Sequence, residues 1–177
     1  MASNKDDFVK MKVGGLTLDP VTKTPIVVLC NDEHNINLPI WIGLLEATSM
    51  ATELEGIKMV RPMTHDLLKN LLEACGAAVQ RIEVTSLKDN TFYALIYVAI
   101  GDSSHTIDSR PSDAISLALR TKSPIYVARQ VIEASTLGMA DENDGARTTG
   151  HNLSDVSPDQ WNDILENLDP SDFKYKT

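Results

Sequence analysis

An α+β fold, with a mixed or antiparallel sheet and packed helices, is predicted by three features of the 177-residue sequence. Short apolar runs with strand periodicity recur along the chain. Between them lie stretches whose apolar residues follow helical spacing and whose ends carry capping signals. A strand–strand–helix pattern also repeats at a constant shift of 67 residues: Ile40–Ala47 lies over Ile107–Ala114, and Thr24–Leu29 over Thr91–Ile96. This echo suggests an internal duplication that places Glu46 and Asp113 at equivalent helix starts.

In order, residues 1–7 read as disordered. Phe8 to Leu18 alternates as a strand, with Gly14-Gly15 marking a bulge. Asp19-Pro20 turns into a buried strand from Pro25 to Cys30, and the polar Asn31–Asn35 turn leads to a strand from Ile36 to Ile42. A helix rich in Leu, Ala, Met and Glu follows from about Gly43 to Glu55, with Gly56 placed to end it. Thr64 is a good N-cap for the next helix, in which Leu67, Leu68, Leu71, Leu72 and Cys75 keep helical spacing up to Gly76. Strands are predicted at 79–87, 91–100 and 105–108, the first two joined through Lys88-Asp89-Asn90. Pro111 to Lys122 is a helix with proline at its first position, Pro124 to Ala128 a strand, and Gln130 to Thr136 a short helix.

The domain is therefore expected at residues 8–137, followed by a polar, glycine-containing linker at 138–156 and an acidic helix and tail at 157–177. Ser157-Pro158-Asp159-Gln160 is a capping box, and Trp161, Ile164, Leu165 and Leu168 form one apolar stripe. Three helical turns are marginal alone, so this amphipathic helix needs a surface to dock on: its own body, a second subunit or another protein.

The 42% apolar content suffices for one core. Cys30 and Cys75 lie in no zinc-like spacing. No apolar stretch approaches 18 residues and the N-terminus has no apolar signal region, so a soluble, cytoplasmic protein is expected, without membrane partners. Net charge is -9, of which -6 falls in residues 138–177, where nine acids face Arg147, Lys174 and Lys176. The nearly balanced body leaves room for a local basic patch despite the overall acidity.

Two segments invite a chemical reading. Arg61-Pro62-Met63-Thr64-His65-Asp66 and Asp108-Ser109-Arg110-Pro111-Ser112-Asp113 each run from an Arg-Pro pair into a helix start bearing a hydroxyl and a carboxylate. Unpaired N–H groups and a guanidinium favour phosphate, whereas carboxylates favour a divalent cation. The plainer reading assigns the same residues to capping and the helix dipole.

Together with Leu38–Gly43, Glu46-Ala47 and Asn90–Ala94, these segments make residues 8–136 resemble the bifunctional nuclease domain family of bacteria and plants. The resemblance implies a self-associating α+β domain, with DNase and RNase activity in some members. Ser109 stands where the family usually has alanine. Some members add a further helical motif, and the acidic 157–177 segment stands in its place without matching it.

Metal-assisted phosphodiester cleavage needs carboxylates around Mg²⁺ or Mn²⁺ and cations for the developing charge. Glu46, Asp66, Asp108 and Asp113 are the candidate metal ligands, and Asp108, Arg110, Asp113 and His65 the candidate catalytic set. His65, in a first helical turn that suits a proton acceptor, is the best acid–base candidate of the four histidines. Arg61, Arg110, Arg120 and Lys122 are the candidate contacts to nucleic acid. Tyr93 can stack on a base, but Tyr93, Leu95 and Tyr97 share one strand face and read better as core. The leading expectation is a metal-dependent nuclease acting on DNA and RNA. The alternatives are a non-catalytic oligomeric binding module and a nucleotide or phosphate binder.

Overall fold

A computed structural model describes residues 7–141 of the chain. The expected disordered N-terminus, most of the linker and the 157–177 helix fall outside the described residues. The first strand, β1 (Phe8–Leu18), buries Val9 and Met11 and exposes Lys10 and Lys12. A bulge between Val13 and Gly15 then adds one residue, so the buried parity flips and Leu16 rejoins the core face. The Asp19 carboxylate accepts the N–H groups of Val21 and Thr22 at 2.9 and 2.8 Å, closing the turn into β2 (Pro25–Asn31). Antiparallel β3 (Ile36–Trp41) completes this three-stranded unit and runs into α1 (Leu44–Leu54), which stops at Gly56 with φ +65°.

After α2 (Thr64–Ala74), the second unit repeats the order: β4 (Ala77–Lys88), β5 (Thr91–Ile100), β6 (Ser103–Ser109) and α3 (Pro111–Thr121). Asp89 and Asn90, both with positive φ, make the tight β4–β5 turn. Both bounds of α3 fall 67 residues after those of α1, the shift of the sequence echo. Between the two units lies β7 (Ile125–Ala128), antiparallel to β1 and parallel to β4, giving a seven-stranded mixed sheet in the order β3-β2-β1-β7-β4-β5-β6. The last helix, α4 (Arg129–Asp141), packs on β4 and β7 and runs five residues past the expected Thr136 end, into the segment expected to be linker. No glycine or proline interrupts it before Gly138, so nothing in the sequence stops it at Thr136.

Helix α3 carries the core. Ala114, Ile115, Leu117 and Ala118 are buried, and the helix packs on α1, α2, β4 and β5. On β5 the buried residues are Ala94, Ile96 and Val98, so the alternating Tyr93, Leu95 and Tyr97 point away from the core. Tyr93 is exposed, contrary to the core reading of that face, because period two fixes which residues share a face but not which face the helices cover.

Candidate functional site

Three helix starts meet at the site. Glu46 lies in the first turn of α1, His65 in that of α2 and Asp113 in that of α3. Glu46 and Asp113 are each the third residue of their helix, the equivalence expected from the echo. The N-cap of α2 is Met63 rather than Thr64. Asp66 does the capping from inside the helix, accepting the Met63 N–H at 2.9 Å, which leaves Thr64 exposed.

Arg110, the N-cap residue of α3, ties two of these starts together. Its Nη1 lies 2.9 Å from Glu46 Oε1, while Nε and Nη2 bond the two Asp113 oxygens at 2.7 and 3.0 Å. Glu46 is folded back so closely that a Cβ on Gly43 would meet its Oε2 at 2.3 Å. Behind Asp113, His65 Nε2 lies 3.3 Å from Oδ1, and His65 Nδ1 lies 2.8 Å from Ser49 Oγ. A carboxylate only accepts, so in the neutral ring Nε2 carries the proton and Nδ1 accepts from the Ser49 hydroxyl. Burial by itself pushes the Asp113 carboxyl up, but hydrogen bonds from Arg110 and His65 outweigh it and hold the group below the ordinary carboxylate value.

A second ion pair locks α2 to α3. Arg120, its side chain 3% exposed, donates through Nε to Asp66 Oδ1 and through Nη1 and Nη2 to the carbonyls of Ser116 and Ser49. Burial opposes ionisation of Asp66 as well, yet the Arg120 bond and the Met63 N–H keep its carboxyl below the usual range.

The expected site residues are thus only partly assembled. Glu46, His65, Arg110 and Asp113 form one connected cluster, joined through Ser49 to Arg120 and Asp66. Asp108 stands exposed on β6, paired through its backbone with Leu95 of β5, and its side chain makes no ion pair or hydrogen bond among the described residues. Arg120, expected on nucleic acid, is instead a buried strut whose guanidinium is spent on protein acceptors. Arg61 is exposed in the loop before α2, and Lys122 is the left-handed C-cap of α3. Arg110 and Lys122 cap opposite ends of an 11-residue helix, roughly 17 Å apart, so the four cations do not form one patch. Ser49 carried no sequence signal, since a serine within a small-residue helix looks the same whether or not a histidine faces it.

A divalent ion would need carboxylate lone pairs that Arg110 already occupies on Glu46 and Asp113. Among the described residues no three His, Cys, Asp or Glu side chains form a group able to hold a metal ion. With Arg110 seated, the donor set does not fit Mg²⁺ or Mn²⁺. No helix among the described residues is long and apolar enough to cross a membrane.

Comparison with known proteins places this chain in a family. An uncharacterized protein of Mycobacterium tuberculosis is 33% identical over 165 residues, covering 93% of this chain and 98% of its own. Bifunctional nuclease 1 of Oryza sativa subsp. indica is 33% identical over 109 residues, which is 60% of this chain and 33% of the rice protein. Bifunctional nuclease 2 of Arabidopsis thaliana is 25% identical over 139 residues, or 77% of this chain and 42% of its own. The family profile described as the bifunctional nuclease domain matches residues 27–139, from β2 through the three helix starts into α4, and the chain belongs to that family.

Proposed function

We propose that this chain is a nuclease cleaving phosphodiester bonds in DNA and RNA, with its site at the Glu46–Arg110–Asp113–His65 cluster. The observation that carries the reading is Arg110, a half-exposed guanidinium held in place by two carboxylates at paired helix starts within a chain of this family. Arg110 offers a planar, fixed donor set to a phosphate oxygen and to the charge that builds on it. Once phosphate draws the guanidinium outward, an Asp113 oxygen takes the proton of the attacking water as the water oxygen bonds to phosphorus and the P–O bond to the leaving sugar oxygen breaks. The sugar oxygen leaves with a proton from solvent, while His65 Nε2–H holds Asp113 in place. Ser49 keeps the His65 ring oriented during that transfer. Arg61, exposed before α2, is the second cation for the nucleic-acid backbone. No step is routed through Mg²⁺ or Mn²⁺, which enter as assay conditions; self-association and a cytoplasmic location belong to the proposal.

The test is cleavage of labelled single- and double-stranded DNA and RNA in Mg²⁺, Mn²⁺ or EDTA. Wild type is compared with Arg110→Ala, Asp113→Asn and Asp108→Asn, each confirmed folded by circular dichroism. Arg110→Ala and Asp113→Asn are expected to lose activity by about 100-fold or more, while Asp108→Asn keeps it. Equal cleavage by wild type and the folded Arg110 and Asp113 variants refutes the site, and loss in Asp108→Asn alone moves it to β6.

A further inference from the structure

The helix that presents His65 is itself poorly covered. None of the α2 residues is buried, and Leu67, Leu68 and Leu71 stand 51%, 38% and 54% exposed. Spaced at i, i+1 and i+4, they form a stripe beside the half-buried Leu72. The loop before α2 adds Ile57, Met59 and Val60, all exposed. Soluble domains seldom leave so much apolar surface on one stretch without an occupant.

We propose that the 157–168 segment of the same chain docks on this α2 face. Its sequence has the complementary stripe, Trp161, Ile164, Leu165 and Leu168, on a capped stretch of 12 residues facing an 11-residue helix. At 1.5 Å per residue both run about 17 Å, so the stripes match in length. The segment lies outside the described residues, and its tether fits the task. Residues 142–156 follow α4 in sequence, and a flexible linker of that length reaches roughly 22 Å, more than the radius of gyration of roughly 14 Å expected for a domain of this size.

Charge favours the same seat. From Asp155 to Asp172 the sequence holds six acids and no lysine or arginine. The loop from Gly56 to Pro62 holds Lys58 and Arg61 and no acid, and neither cation forms an ion pair among the described residues. A second copy packed α2 against α2 would cover this face but leave the 157–168 stripe exposed. Docking of the chain's own segment covers both at once, at a tethered concentration in the millimolar range. The inference does not depend on nuclease activity.

The test uses the full chain with p-benzoylphenylalanine in place of Leu71, irradiated at micromolar concentration as an equal mixture of ¹⁵N-labelled and unlabelled protein. Mass spectrometry should find cross-links from α2 to peptides of 157–168, with both partners carrying the same label. Mixed-label cross-links would assign the face to a second copy, and the absence of links to 157–168 would leave the segment elsewhere; either overturns the proposal. As an independent reading, Ile164→Asp with Leu165→Asp in the full chain should speed α2 amide exchange roughly tenfold while leaving β4 and β5 unchanged. Unchanged α2 exchange likewise overturns it.

Discussion

At Asp66 and Asp113, burial and pairing act in opposite directions and pairing wins. Burial disfavours both anions, but Arg120 with the Met63 N–H, and Arg110 with His65, hold the two carboxyls below their ordinary 3.8. The folded state therefore binds protons at these positions more weakly than the unfolded chain. Their contribution to stability is in place above the unfolded value and is lost as pH falls through the folded one. Urea midpoints should accordingly drop between about pH 5 and pH 2. Asp66→Asn and Asp113→Asn should each be less stable than wild type at neutral pH and show a shallower drop in acid. An unchanged acid slope in both variants contradicts the assignment. The sequence showed at this scale that both aspartates sit in first helical turns. Their partners were not legible, because Arg120 lies 54 residues from Asp66 and is brought to it only by the crossing of α2 and α3.

Helix α3 shows what an element can conceal. Its apolar spacing and Pro111 start were visible in sequence, yet the helix is buried over much more of its circumference than an amphipathic stripe requires. Ser116 pays for this: its Oγ is buried and has no hydrogen-bond partner among the described residues. Ser116→Ala should stabilise the protein by about 1 kcal/mol, through relief of that desolvation and better helix propensity, as read from urea unfolding. The Ser116 carbonyl still accepts from Arg120 in the variant, so the α2–α3 lock stays intact. Helix α2 is the opposite case. Its leucines keep helical spacing, but only Leu72 packs against the core, while Leu67, Leu68 and Leu71 are exposed.

Across the whole molecule, two β-β-β-α units share one sheet through β7, the four-residue strand between β1 and β4. Ile125 of β7 pairs with Met11 on one side and Ile82 on the other, all three buried. One continuous core should make the two units unfold together. In a Trp161→Phe background, Ile125→Ala is expected to cost about 3 kcal/mol and to shift Trp41 fluorescence and far-ultraviolet dichroism equally. Separate transitions for the two probes would show that the units are independent.

The sequence by itself determined the strands and helices of the described residues apart from the end of α4, the bulge at Gly14-Gly15, the 67-residue repeat and the pairing of Glu46 with Asp113 as equivalent positions. Each of these is written in local spacing, turn chemistry or self-similarity. Tertiary structure alone decided that Arg110 clamps those two carboxylates, that Ser49 orients His65, that Arg120 is buried while Asp108 is not joined to the cluster, and which face of β5 meets solvent. These depend on how α1, α2 and α3 cross above the sheet, and contacts between residues dozens of positions apart leave no periodic trace in a single chain.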